Sequence, residues 1–372
     1  MTIKPKILVT SAGGKTGMPT VLQLRARDYP VRAVLRRDDD RARVLREAGA
    51  EVFVGDQFAL ADMRRAMTGV QRAVLCAPTA PNGLHFGSVF AIAAHEARLE
   101  HAVLIGQWLA QPDHPSMFTR ETFFVEALMR MLADTTLTVN NVGWFADNYF
   151  MVLEPIAQLG LFPFPLGAGS VPKNAPPSNE DIAAVTVEAL IDPARHAGKT
   201  YRPTGPALIA PDEMAATFSR VLNRKVVYGD ISEAMMSKAL NAQGWPAALQ
   251  TQLRLYTREY RRGAFAVNAP SGVVADVTGR EPEDFETIAR RYVATRPEAV
   301  QGVGNRLRAW RFMARMLLTR STDFDVVEKA RDHVRLAEAD YCSDSETWRR
   351  THDPAAGFVP DRAGVPVLAV SA

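Results

Sequence analysis

Seven residues near the start of the chain, Ser11-Ala12-Gly13-Gly14-Lys15-Thr16-Gly17, have the types and spacing to hold a phosphate. Backbone N–H groups in a glycine-rich turn that opens a helix approach a pyrophosphate closely, and the helix N-terminus adds a favourable field. Such a turn is a weak signal by itself, because glycines also serve plain connections. Its context strengthens it: residues 6–10 read as a buried strand before it, and residues 17–27 as a helix after it. Arg36 and Arg37 follow the next strand, where an acid would hold the ribose hydroxyls of NAD. Two guanidinium groups there call instead for a 2′-phosphate, and Lys15 adds a further positive charge. The expected cofactor is therefore NADP(H), with the bland alternative a solvated basic pair before a helix.

The elements that position these residues alternate regularly. Strands are expected at 31–35, 51–54, 73–77, 101–105 and 137–142, with helices at 40–48, 60–67, 86–98 and 120–132 between them. Strand–helix alternation at this spacing means βαβ units and a doubly wound, Rossmann-type parallel sheet. The expected division is a dinucleotide-binding domain over 1–155, to which 175–205 returns, a smaller mixed α/β substrate-binding part over 156–293, and a helical C-terminal extension over 294–372. The Gly- and Pro-rich stretch 160–177 reads as a loop over a pocket mouth.

Several positions together resemble the NmrA-like branch of atypical short-chain dehydrogenases/reductases. Residues Ile7 to Gly17 are similar to that family's opening Thr-Gly-Ala-Thr-Gly-x-x-Gly, and Val54-Gly55-Asp56, Val142 to Tyr149 and Asp181-Ile182-Ala183 continue the likeness over about residues 5–293. The resemblance implies that Gly14 and Gly17 are the second and third family glycines, with Ser11 in place of the first. It implies that Asp56 approaches the adenine, that Ala77 and Pro78 line the central ribose, and that Gly143, Trp144 and Phe145 pack beside the nicotinamide. It also implies a substrate pocket around Trp108, Phe118, Asn148 and Phe162, apolar enough for a hydrophobic small molecule.

The chain departs from the pattern where catalysis is expected. The wider superfamily uses a Tyr-x-x-x-Lys pair on the helix before the sixth strand, but residues 116–123 contain neither. Two residues stand in as candidate proton donors: His114 in the loop after the fifth strand, and Tyr149 on the far side of the nicotinamide. Each has a plain reading as well, a solvated loop histidine and a packing tyrosine. The seven histidines and two cysteines show no metal-like spacing, so no metal site is expected.

A net charge of +3 gives no reason to expect nucleic acid as a partner. Two cysteines fit a reducing compartment, and no apolar run approaches a membrane span, so a cytoplasmic protein is expected. Residues 306–318 mix four arginines with Leu, Trp, Phe and Met, the pattern of a basic amphipathic helix. Packing on the same chain or on a second subunit of a homodimer is the favoured reading there; peripheral contact with an anionic membrane is the other. Function divides two ways. An NADPH-dependent oxidoreductase passing hydride to a hydrophobic carbonyl, enone, imine or quinone is favoured by the aromatic pocket; a non-catalytic NADP(H)-binding redox sensor is favoured by the missing pair.

Overall fold

The computed structural model describes residues 4–77 and 82–353. Its main sheet has seven strands, all parallel: β1 (Ile7–Val9), β2 (Val31–Leu35), β3 (Glu51–Val54), β4 (Arg72–Cys76), β5 (His101–Gln107), β6 (Thr136–Val142) and β8 (Thr200–Tyr201). They lie in the order β3-β2-β1-β4-β5-β6-β8. Helices cover both faces, so the central strands are apolar throughout; Ile7, Leu8 and Val9 have no exposed surface at all. Chain order reverses between β1 and β4, which is where open α/β sheets bind ligands. Thr10 fixes this point: its hydroxyl donates to the Val74 carbonyl at 2.9 Å and accepts from the Cys76 N–H at 2.9 Å.

Helix Met117–Arg130 begins three residues before the expected start, because Ser116 caps it by accepting from the Thr119 N–H. Ser178 does the same for helix Asn179–Ile191, at 2.9 Å from the Asp181 N–H, and that helix packs on helix Gly17–Ala26. Asp181 is buried and ion-paired with Arg280 at 2.6 Å, a local tie.

The expected pocket-mouth loop is partly regular. Within it, β7 (Leu161–Phe164) pairs in parallel with β9 (Val227–Asp230) to form a second, two-stranded sheet. Prolines at 163 and 165 hide this strand from a pattern reading, yet Phe162 and Phe164 alternate inward and are buried. A core cluster containing Trp108, Trp144, Tyr149 and Phe162 also takes in three buried residues from 294–353, Ala299, Cys342 and Trp348. The C-terminal stretch is thus not a mere appendage. Its helices are Val303–Leu318, Phe324–Ala330 and Glu346–His352.

Candidate active site at the carboxyl ends of the strands

The glycine turn sits at the β1/β4 switch point. Ser11 takes the left-handed conformation, φ 49°, which glycine adopts most readily. Its N–H and hydroxyl are steadied by Gln57 Oε1 and Nε2 at 3.1 Å, so a small hydroxyl residue does fit the tight corner. A Cβ at Gly17 would press on the Ser11 carbonyl and lie 2.9 Å from Ala12 Cα, so this glycine lets the helix meet the strand. A Cβ at Gly14 would meet only the Ser11 carbonyl oxygen, at 3.0 Å, with nothing else within 4 Å. Gly14 therefore offers an open side for a phosphate group. Gly13 and Thr16 complete the turn, Thr16 as the residue preceding the helix.

Arg36 and Arg37 are exposed at the tip of β2 with no side-chain partner among the described residues. The acids that follow are already engaged: Asp38 with Arg46 at 2.7 Å and Asp39 with Arg41 at 2.5 Å. These guanidinium groups hold both carboxyls below their usual range. The basic pair is left free for an anion. Lys15 reaches the other way, to an ion pair with buried Asp147, which also accepts from the Tyr292 hydroxyl. The structure places this ammonium group on the β6 side, away from Arg36 and Arg37. Asp56 is exposed after β3, its side chain accepting from the Phe58 N–H at 3.0 Å. Ala77 is exposed after β4, and Pro78 lies outside the described residues.

Beyond β6, Gly143, Phe145 and Asn148 are half-buried along the site's rim, whereas Trp144 and Tyr149 point into the core. Tyr149 is fully buried, its hydroxyl accepting from Asn174 Nδ2 at 3.0 Å and donating to the Tyr260 hydroxyl at 3.2 Å. Burial pushes its phenol well above the usual range. Tyr149 thus has no exposed surface, and its hydroxyl both accepts and donates within the core.

His114 is likewise fully buried. The Ser116 N–H donates to its Nδ1 at 2.9 Å, so the neutral ring carries its proton on Nε2, which donates to Glu259 Oε1 at 3.1 Å. Cys342 from the C-terminal stretch closes over the pair, its N–H donating to the same carboxylate oxygen at 2.5 Å. The ligand atoms of His114, Glu259 and Cys342 lie within 4.8 Å of one another, a grouping that 145 residues of separation hide from spacing rules. A metal at Nε2 needs the lone pair that the Ser116 contact forces to carry a proton, so the triad works as a hydrogen-bonded clasp. His114 thus has no exposed surface, and both its ring nitrogens are engaged within the protein.

The same stretch covers two expected pocket residues. Trp108 is buried beneath Trp348, whose indole N–H donates to the Trp108 carbonyl at 3.1 Å, and the Arg202 guanidinium lies 3.6 Å over its ring. Phe118 is buried against His333. Phe162 does border a cavity, of 580 Å³, but that cavity lies by the small sheet and includes no residue of the turn or the β4–β6 tips.

Sequence reasoning misses a hydroxyl at those tips. Tyr256, on helix Ala247–Arg261, is half-buried and donates to Gln107 Oε1 at 2.5 Å. Gln107 ends β5 and pairs in register with Val142, immediately before Gly143. Burial pushes the Tyr256 phenol far up, so it stays protonated at neutral pH. The neighbouring Thr119, which accepts from Gln252 Nε2 at 3.2 Å, lies within residues 116–123, which contain neither tyrosine nor lysine. No local signal marks Tyr256, because its partner is 149 residues away.

With this geometry in place, comparison with known proteins becomes informative. The model of the NmrA-like family matches residues 3–287. The chain belongs to the NmrA-like family. An NAD(P)H azoreductase from Xenophilus azovorans is 28% identical over 294 residues, 77% of this chain and 98% of the relative. The NADPH complex of an Escherichia coli quinone oxidoreductase superposes with a TM-score of 0.66 at 21% identity, covering 77% of this chain and 99% of that one. The negative transcriptional regulator NmrA in complex with NADP gives 0.64 at 19% identity, covering 78% and 95%. The family match stops at residue 287, so the stretch that buries Trp108 and His114 lies outside it.

Proposed function

We propose that this member of the family is an NADPH-dependent reductase acting on apolar, electron-poor small molecules such as quinones, enones, imines or azo compounds. The observation that carries the reading is the pairing of an open-sided glycine turn with two unpartnered arginines at the tip of β2. The turn's backbone N–H groups and the helix N-terminus would hold the pyrophosphate, and Arg36 and Arg37 the 2′-phosphate. Bound there, NADPH supplies hydride. This chain's own part is orientation and proton supply. Gly143 and Phe145 form one wall of the crevice, and Tyr256, held by Gln107, presents a protonated phenol at the adjacent strand tip. Because burial weakens that phenol as an acid and its one proton rests on Gln107 Oε1, it would polarise the acceptor atom by turning that hydrogen bond from Gln107 to the substrate, while water completes the transfer.

The test incubates the protein with stereospecifically deuterated NADPH and a panel of such acceptors. Deuterium in the reduced product, from one face of the cofactor only, supports the reading. No transfer to any acceptor, with NADPH bound, favours a second reading that the covered His114 and Trp108 recommend: a non-catalytic NADP(H)-binding protein, comparable to the regulator NmrA.

A further inference from the structure

Helix Val303–Leu318 carries two apolar faces, and folding accounts for only one. Its inner face buries Ala309 and Met316, and with Phe312 and Met313 it covers the 580 Å³ cavity against Met235, Leu240 and β7. Its outer face is a second stripe. Val303, Leu307, Trp310, Ala314 and Leu318 recur at helical spacing, and all are exposed: Val303 by 85%, Trp310 by 57% and Leu318 by 89%. A surface helix that only needs to pack on its own protein has no use for that stripe.

Charge identifies the occupant. The helix has four arginines and no acid. Arg308 is paired with Glu154 at 2.6 Å, but Arg306, Arg311 and Arg315 are exposed with no side-chain partner among the described residues. They flank the outer stripe, at the boundary where apolar side chains enter lipid and cations meet headgroups. A second copy of the chain fits less well, because a two-fold contact through this face would set arginines against arginines with no acid on the helix to answer them. We propose that the outer face of helix Val303–Leu318 docks on an anionic lipid surface. The helix lies beyond the family match, so the site is separate from the dinucleotide crevice and does not depend on the reductase reading.

Flotation of the full-length protein with vesicles tests this, using phosphatidylcholine alone and phosphatidylcholine mixed with phosphatidylglycerol. The protein should float with the anionic vesicles at low salt, stay behind with neutral ones, and be released as salt is raised. The triple substitution Arg306→Glu, Arg311→Glu and Arg315→Glu should weaken partitioning at least ~10-fold, and so should Leu307→Ser with Trp310→Ser. All five positions are exposed, and unchanged NADPH affinity in each variant confirms its fold. No flotation with either vesicle, or flotation indifferent to the arginine changes, overturns the proposal. So does a dimer in sedimentation that Trp310→Ser dissolves while vesicles bind nothing.

Discussion

Replacing Gly17 with alanine puts a methyl group into space that backbone already fills. The new Cβ would press on the Ser11 carbonyl oxygen, 2.9 Å from Ala12 Cα and 3.0 Å from the Ser11 carbonyl carbon. All of these are main-chain atoms, so no side chain can rotate away and the start of helix Gly17–Ala26 must shift. Overpacking of this kind costs about 1–3 kcal/mol, and alanine's better helix propensity returns less than about 1 kcal/mol. A net loss of about 1.5 kcal/mol should lower the melting temperature by about 2 °C in a chain of 372 residues, whose unfolding entropy is about 0.8 kcal/mol/K. Gly14→Ala is the contrasting change, since its Cβ meets one atom at 3.0 Å and otherwise points into open space. Its stability cost should stay below about 1 kcal/mol. NADPH affinity should nonetheless fall at least ~10-fold, about 1.4 kcal/mol, because the methyl stands where the pyrophosphate must approach. Thermal melts and calorimetric titration of both variants separate the two roles. A Gly17→Ala protein that melts within about 1 °C of the parent, or a Gly14→Ala protein that keeps its NADPH affinity, would refute the reasoning.

Arg36→Ala with Arg37→Ala should erase a preference for NADPH over NADH of at least ~10-fold; parallel titrations with both cofactors check it, and an unchanged ratio moves the 2′-phosphate elsewhere. Tyr256→Phe should cut turnover ~10-fold or more while leaving NADPH affinity alone, measured with whichever acceptor proves fastest; full activity would return the proton supply to water alone. Stability should depend on pH through His101, a buried ring whose pKa burial and the nearby Arg72 push down to about 4 from its usual 6.5. The unfolded chain takes up a proton near 6.5 and the folded one only near 4, so this contribution is complete above pH 6.5 and is lost as pH falls through that window. The full loss amounts to about 3 kcal/mol. Melts between pH 7.5 and 4.5 should show it, and His101→Gln should flatten the slope; an unaltered slope assigns the dependence to other groups.

Much of the dinucleotide half is legible in the sequence because each βαβ unit announces itself locally. Short β-branched runs end in glycine or aspartate, and amphipathic stretches of helical period separate them, so residues 6–142 read nearly as they fold. The phosphate turn is legible for the same reason: its glycines and small residues fall within seven consecutive positions, 11–17, although Gln57 and Asp147 that brace it lie far along the chain. What escapes a reading along the chain is every arrangement made at long range. Tyr256 meets Gln107, and Cys342 meets Glu259, only after more than eighty residues of intervening chain. Tyr149 and His114 carry plausible chemistry in one dimension and lose it in three, because burial consumes their polar atoms. The strand Leu161–Phe164 is masked by its own proline, which a two-stranded edge tolerates.

The covered loop after β5 also bears on how this chain can change over evolutionary time. Trp108, Leu109 and Phe118 form a surface that a stand-alone family core would have to present to water, and here Trp348, Cys342 and His333 roof it over. Stripping the roof away would leave a sticky patch on the core until several positions gained polarity together. Core and cover are thus bound to each other's composition: a change that loosens one obliges matching changes in the other.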